Sequence, residues 1–343
     1  MGDATNPAVP AMADAATVTE STMVEAVRLA LARAMSDDPS VVVIGEDVGA
    51  DGGVFRATDG LLARFGPDRV LDTPLSESLF IGLAVGLSVQ GIRPVVEYQF
   101  LGFMYPGFDQ LANHASRFRT RTLGRMTCPM VVRAPYGAGI HAPEHHSDSF
   151  EAMLAHMPGL RVVVPSSPAR AYGLLLAAIR DPDPVVFLEP ARIYRSTRET
   201  VRDDGAALPL DRAEVLRPGS DLTIVSWGAC LREALLAADA LAGVGVSAEV
   251  VDVATLKPLD MPTILDSVGR TGRCIIVHEA PLTGGVGADI AAHLADDGLT
   301  GLLAPVVRVT GWDTVVPLPR LEQAYLPSVD RIVAAALRVV SFS

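Results

Sequence analysis

Short apolar runs alternate with amphipathic stretches along the first half of the chain. Each run has four or five residues, is rich in β-branched side chains and ends near Gly, Pro or a polar residue, which is typical of a buried strand. The runs cover residues 41–44, 94–98, 130–133, 161–164 and 185–188. The stretches between them predict helices over residues 19–35, 76–90, 106–121 and 168–180. This order predicts a parallel sheet with right-handed crossovers and helices on both faces.

The alternation stops near residue 193 and resumes after residue 220. The segment between is charged, contains Pro209 and Pro218 and has no periodicity, so a linker is predicted there. Afterwards strands are predicted over residues 223–226, 248–253, 274–277 and 306–309, and helices over residues 230–241, 260–268, 285–294 and 328–340. The predicted fold class is α/β, with two doubly wound domains in series. The predicted division is a flexible leader at 1–16, domains at 17–195 and 221–343, and a linker at 196–220.

Composition and charge exclude several classes of protein. The 343 residues carry a formal net charge of −12, which argues against a general nucleic-acid binder and against docking on an anionic membrane. Three Cys without CxxC spacing exclude a disulfide framework and disfavour a zinc site. No apolar run approaches the roughly 20 residues of a membrane helix. Residues 1–16 contain no Lys or Arg, unlike signal and transit peptides. A cytoplasmic protein is expected.

A carboxylate stands where a short strand at residues 70–72 passes into the helix predicted from residue 76. Ser76 is a favourable N-cap, and Glu77 falls in the first turn. One interpretation is that Glu77 only complements the helix dipole, worth about 0.3–1 kcal/mol. The other is that it faces a crevice at the carboxyl edge of the sheet and shares a proton with a heterocycle nitrogen. Both are compatible with the pattern.

Three of the seven His fall within six residues after the strand predicted at 130–133: His141, His145 and His146. A metal site is one interpretation, although adjacent His145 and His146 point in different directions in an extended loop. A solvated loop and proton-donor chemistry are the other two.

Glycines mark two further positions. Gly82 and Gly86 lie four residues apart on one helix face, and each costs about 0.8–1 kcal/mol relative to Ala. Close packing of another helix, from within the chain or from another subunit, would compensate. Gly284 and Gly285 precede a predicted helix and suit either a phosphate or a tight turn.

A set of ordered motifs identifies a resemblance. They lie at residues 45–48, 53–56, 72–77, 108–110, 146–147, 156–160, 164–165 and 181–184. Together they resemble the β subunit of the E1 component of 2-oxo acid dehydrogenase complexes, in the transketolase-like superfamily, over nearly the whole chain. Residues 189–195 and 278–285 resemble the branched-chain type, so 2-oxoisovalerate and its homologues are the expected substrates. The alternatives are a pyruvate- or acetoin-type E1 β subunit and a non-catalytic scaffold of the same fold.

The resemblance implies thiamine diphosphate bound at a subunit interface. It implies that Glu77 hydrogen-bonds the aminopyrimidine ring, that Phe103 packs on this ring and that Leu75 lies against it. Glu46 matches a position in an acidic, water-lined path between two active sites. The chain lacks the Gly-Asp-Gly motif that holds Mg²⁺ and diphosphate in this superfamily. An α subunit is therefore expected to bring the metal ligands, in an α2β2 assembly that is active only with both chains.

The resemblance also assigns roles in transfer to the E2 acyltransferase. His146 matches a histidine that assists reductive acylation of the lipoyl group on the E2 lipoyl domain. Asp148 stands where Gln is usual, and a nearby carboxylate would favour a protonated His146. The second domain is expected to dimerise and to receive the peripheral subunit-binding domain of E2, which the acidic chain would attract if that domain is basic.

The family carries a monovalent cation as well, with K⁺ as the candidate. Carbonyl and carboxylate oxygens suit such a hard cation. The matching positions are Cys128, Met130, Val131, Ala178, Asp181 and Asp183. A Pro-Asp turn is the alternative, and Asp183 stands where Asn is usual.

Overall fold

The structure, a computed structural model, describes residues 17–142 and 144–342. The predicted leader at 1–16 lies outside the described residues. The strands are β1 Thr17–Ser21, β2 Val41–Gly45, β3 Val70–Asp72, β4 Arg93–Glu97, β5 Val131–Tyr136, β6 Arg161–Val163, β7 Val185–Pro190, β8 Glu199–Asp203, β9 Glu214–Arg217, β10 Leu222–Ser226, β11 Ala248–Asp252, β12 Thr255–Lys257, β13 Cys274–Pro281 and β14 Val307–Gly311. The helices are α1 Met23–Asp37, α2 Leu61–Phe65, α3 Glu77–Val89, α4 Phe118–Arg121, α5 Glu151–His156, α6 Pro168–Arg180, α7 Cys230–Ala242, α8 Met261–Thr271, α9 Val286–Asp297, α10 Pro319–Tyr325 and α11 Val329–Val340.

The larger sheet has the strand order β12-β6-β7-β5-β4-β2-β3. Its neighbouring strands are parallel, except that β12 pairs antiparallel with β6. The strands β2, β5 and β7 are buried along their whole length, because helices cover both faces. Helices α1 and α6 pack together on one face, and α3 covers the other. The predicted parallel sheet with two helical layers is confirmed.

The smaller sheet has the order β14-β13-β10-β11-β9, with β9 antiparallel at one edge. Helices α7 and α11 pack on one face, and α8 and α9 lie on the other. The α8 and α9 face belongs to the same apolar core as the α3 face of the larger sheet. The predicted fold class of two doubly wound α/β domains in series is therefore confirmed, and the domains pack through a continuous core.

The segment predicted as an irregular linker, residues 196–220, instead contains two strands. Strand β8 pairs antiparallel with β1, and β9 extends the smaller sheet. Most side chains of both strands are exposed or half-buried, so neither strand shows the apolar alternation that identifies a half-buried strand. Strand β12, from the second half of the chain, joins the larger sheet. The exact division into domains stays a prediction.

The helix predicted over residues 106–121 is broken into short turns. The first is a 3-10 segment, Leu101–Gly107, followed by a π turn at Gln110–His114. Gly107 explains the close approach at this point. A Cβ there would overlap the Tyr98 hydroxyl and lie 3.1 Å from the carbonyl oxygen of Glu77. The segment therefore packs directly on the start of α3, which a regular helix with larger side chains could not do.

Candidate functional site

Parallel strands bring several predicted site residues to one edge of the larger sheet. Strands β3, β2, β4 and β5 are consecutive neighbours, so their carboxyl ends meet. Glu46 follows β2, Glu77 begins α3 after β3, and residues 137–149, which carry the clustered histidines, follow β5. This edge is where open α/β sheets bind ligands.

Glu46, Glu77 and Tyr98 form an acidic cluster at this edge. Glu46 is 8% exposed, and its Oε1 has no hydrogen-bond partner among the described residues. Burial raises the pKa of Glu46, and the charges of Glu77 and Asp47 raise it further. Burial, together with the charges of Glu77 and Glu46, raises the pKa of the Tyr98 phenol. The Tyr98 hydroxyl, like Glu46 Oε1, is buried without a partner in the described part of the chain.

Glu77 is half-buried in the first turn of α3, as predicted. Ser76 holds the N-cap position, but its side chain makes no capping hydrogen bond to any residue the structure describes. Leu75, which precedes it, is 79% exposed. A half-buried carboxylate and an exposed large apolar side chain thus both stand at the junction between β3 and α3.

His146 lies against an aromatic wall formed by Phe100 and Phe103. The ring centroids of Phe100 and Phe103 are 4.6 and 5.2 Å from that of the imidazole. Its Nδ1 is buried and has no partner within residues 17–142 and 144–342. Burial lowers the pKa of His146, and neighbouring His145 lowers it further, while Glu144 opposes the shift.

The expectation that Asp148 favours a protonated His146 is not met. The charges acting on His146 come from His145 and Glu144, whereas Asp148 interacts with His145. Burial also raises the pKa of Asp148. Burial therefore disfavours the charged form of His146 and outweighs the nearby Glu144 carboxylate.

The 3-10 segment Leu101–Gly107 connects the acidic cluster with the histidine. Gly107 touches Tyr98 and the start of α3, whereas half-buried Phe103 touches both His145 and His146. Gly102 packs so closely on the carbonyl of His145 that a Cβ would overlap it. The two ends of this segment thus reach the two groups, with the ring of Phe103 against the histidines.

A buried ion-pair network beneath the site was not predicted. Arg133, 1% exposed, donates to Glu97 at 2.6 Å and to both carboxylate oxygens of Glu189 at 2.6 and 2.9 Å. The Tyr194 hydroxyl also donates to Glu189. The sequence did carry a signal, because each charged residue interrupts an apolar strand. Charges in the middle of a buried sheet are expected to pair with one another.

The residues predicted to hold a monovalent cation do not fit one well. Arg161 lies 3.0 Å from the Asp181 carboxylate, and Arg119 lies 2.8 Å from that of Asp183. The carbonyl oxygens of Cys128, Met130 and Ala178 accept backbone hydrogen bonds at 2.8, 3.0 and 3.3 Å, and Val131 lies in β5. Both carboxylates are thus committed to arginines and to the turn in which the Asp183 N–H donates to Asp181.

In residues 17–142 and 144–342 there is no group of three or more His, Cys, Asp and Glu side chains that could hold a metal ion. The same residues include no helix long and apolar enough to span a bilayer.

Comparisons with known proteins cover nearly the whole chain. Residues 19–197 match the family described as the transketolase pyrimidine binding domain, and residues 211–332 match the transketolase C-terminal domain. The chain is 47% identical to the pyruvate dehydrogenase E1 component subunit beta of Bacillus subtilis, over 94% of this chain and 99% of that protein. It is 45% identical to the subunit of the same name in Staphylococcus epidermidis, with the same coverage. A solved split gene transketolase, an inactive beta4 tetramer, matches with a TM-score of 0.78 at 25% identity, over 94% of this chain and 99% of that one.

Proposed function

Because the chain belongs to the transketolase-like family of E1 β subunits of 2-oxo acid dehydrogenases, we propose that it supplies half of a decarboxylating active site. An α subunit supplies the other half, including the ligands for Mg²⁺ and diphosphate. The observation that carries the proposal is the acidic cluster, where Glu46 and Tyr98 keep buried polar atoms without a partner in the described chain beside half-buried Glu77. Buried polar atoms of this kind are costly unless a ligand or water completes them.

The residues of this edge fit the aminopyrimidine end of thiamine diphosphate. Glu77 would hold a proton at a ring nitrogen, and exposed Leu75 would gain an apolar partner. The orphan oxygens of Glu46 and Tyr98 would bind water or polar atoms of the cofactor. When bound, the cofactor supplies a carbon nucleophile and a sink for the electron pair released as CO₂ leaves. Glu77 contributes by keeping the proton at the ring nitrogen, which suits general acid–base catalysis.

The outer face of α3 supports an α-subunit contact. Leu79 and Leu83 on this face are 53% and 42% exposed. Apart from the adjacent residues and backbone of α3 itself, a Cβ at Gly86 would have no described atom within 4 Å, and one at Gly82 would meet only the Gln110 side chain, at 3.5 Å. Packing within the chain therefore does not account for these glycines. An apolar helix face with two glycines suits close packing of a helix from the α subunit.

His146 acts in the second half of the reaction in this proposal. It donates a proton during reductive acylation of the lipoyl group carried by E2, and its aromatic wall excludes water from the imidazole. The second domain receives the peripheral subunit-binding domain of E2. The net charge of −12 suits a basic partner, with association that weakens as salt increases.

The names of the relatives favour pyruvate as the substrate. The sequence-based prediction of a branched-chain substrate rests on residues 189–195 and 278–285. The relatives that are 45 and 47% identical are named for pyruvate instead. We therefore place the pyruvate alternative first and keep 2-oxoisovalerate as the second candidate on the strength of those two segments.

Co-expression with an α chain and a substrate panel tests the proposal. The purified assembly should release CO₂ from a 2-oxo acid only when thiamine diphosphate and Mg²⁺ are added, with a higher kcat/KM for pyruvate than for 2-oxoisovalerate. The reverse preference would restore the branched-chain assignment. Failure to assemble with α chains and to decarboxylate any 2-oxo acid would favour the non-catalytic scaffold.

A further inference from the structure

The loop that carries His146 is tied to the second domain by a buried carboxylate of β13. Glu279, 5% exposed, accepts hydrogen bonds on Oε1 from the N–H of Ala138 at 3.0 Å and from the hydroxyl of Ser149 at 2.9 Å. Ala138 and Ser149 stand at opposite ends of the loop. One oxygen of the second domain therefore closes the base of the loop.

A second buried carboxylate, in α10, binds the first part of the same loop. Glu322, 1% exposed, accepts from the N–H of Gly139 at 2.7 Å and from the N–H of His141 at 3.3 Å. The Nδ1 of His141 lies 2.8 Å from the same carboxylate. His141 has a φ of 60°, a left-handed conformation that costs about 1–3 kcal/mol and persists only where the surroundings enforce it. The Glu322 carboxylate supplies that enforcement.

The first domain holds the other side of the loop by contact rather than by charge. Phe100 and Phe103 pack on His146, and Gly102 packs on the carbonyl of His145. His146 thus lies between an aromatic wall of one domain and a loop base fixed by the other. We propose that Glu279 and Glu322 are positioning residues, which set the imidazole of His146 for transfer to the lipoyl group.

This inference rests on the proposed function, which gives His146 its reaction. The oxygens of Glu279 and Glu322 accept hydrogen bonds from N–H and O–H groups of the loop. At Glu322 both oxygens accept from N–H groups, so a glutamine there would turn its NH₂ group toward at least one of these donors. The loop base would then shift, and a displacement of about 1 Å is enough to cost up to 100-fold in a positioned reaction.

The experiment compares two rates in the assembly with an α chain. One is reductive acylation of a free lipoyl domain, and the other is decarboxylation with an artificial electron acceptor. Glu322→Gln should lower the acylation rate by at least about tenfold and leave the decarboxylation rate within about twofold of wild type. Glu322→Asp, which keeps an acceptor-only side chain, should recover part of the loss. Ser149→Ala removes one hydrogen bond to Glu279 and should lower acylation by a smaller factor, with decarboxylation unchanged. This variant still tests the inference if Glu322→Gln fails to fold.

A buried carboxylate elsewhere in the second domain provides the matched control. Glu249 in β11 is buried and accepts from Ser267 at 2.5 Å and from Arg270 at 2.6 Å. Glu249→Gln should lower stability without changing the ratio of the two rates. The inference would be overturned if Glu322→Gln and Ser149→Ala lost acylation and decarboxylation equally, or if neither variant lost acylation. An active wild-type assembly in the same experiment would still support the proposed function. An inactive wild-type assembly would instead reject the proposed function, and the inference with it.

Discussion

The ring of Phe100 meets the imidazole of His146 edge-on, with centroids 4.6 Å apart and planes at 75°. Phe103 covers a second side at 5.2 Å. Burial is the largest cause of the lowered pKa of His146, which lies below the ordinary value of 6.5. Burial therefore disfavours the imidazolium, so a lower pH is needed to protonate His146.

Reductive acylation should therefore depend on pH in a definite direction. Protonation of His146 should occur below its ordinary pKa of 6.5, so the acylation rate should rise as the pH falls toward and below that value. His146→Ala should remove this limb and lower acylation by about 10²–10⁴-fold, while decarboxylation with an artificial acceptor changes little. His293→Ala, at an exposed histidine of α9, is the control. Equal losses in both assays would count against the assigned role.

Tyr98→Phe should separate stability from cofactor binding. The Tyr98 hydroxyl is buried with no partner in the residues described, so its removal should raise the unfolding free energy of the isolated chain by about 1 kcal/mol. The same change should weaken thiamine diphosphate binding to the assembly. Chemical denaturation and a binding titration measure the two effects.

Tyr172→Phe gives the contrasting control for Tyr98→Phe. The Tyr172 hydroxyl donates to Asp203 at 2.7 Å and accepts from the N–H of Gly205 at 2.9 Å. Its removal should lower stability and leave cofactor binding unchanged. Destabilisation by both variants would show that the Tyr98 hydroxyl has a partner within the chain.

Glu151→Gln should change how stability depends on pH. Glu151 is buried at the domain boundary, and burial raises its pKa from 4.5 to about 8. The folded chain therefore keeps a proton that the unfolded chain releases, so this group makes stability fall as the pH rises from 4.5 to about 8. In urea unfolding, the variant and the wild type should have similar unfolding free energies near pH 4.5, and the variant should be more stable near pH 8. A variant no more stable than wild type at the upper pH would contradict the protonated state.

Potassium should not stabilise the protein specifically. Arg161 and Arg119 already neutralise Asp181 and Asp183. The melting temperature should therefore be the same in KCl and in choline chloride of equal ionic strength. A rise found only with K⁺ would show that the ion displaces these arginines and would restore the predicted cation site.

The strands with uniform apolar character were predictable, because burial on both faces leaves a continuous β-branched run. The same logic predicts β2, β5 and β7 from the sequence, and it predicts that Glu46 and Glu77 lie at the carboxyl edge of the sheet. Edge strands β8 and β9 were missed because their exposed side chains carry no alternation. In the broken stretch Gly107 lies against Tyr98, a contact between segments that periodicity does not encode.

The surroundings of His146 could not be predicted from the sequence for a similar reason. Glu279 and Glu322 reach its loop from 130 or more positions away in the chain, and only the packing of the two domains brings them there. The charge of Asp148, close to His146 in sequence, interacts with His145 rather than with His146. Proximity along a loop does not determine which side chains interact.

The most direct test of the central claim is CO₂ release by the α–β assembly carrying Glu77→Gln. Asp330→Asn is the matched control, since Asp330 also stands in the first turn of a helix, α11, and complements its dipole. If Glu77 holds the proton at the cofactor ring, Glu77→Gln should assemble normally and lose nearly all decarboxylation, whereas Asp330→Asn should keep wild-type turnover. Wild-type turnover in both variants would reduce Glu77 to a dipole partner and contradict the account.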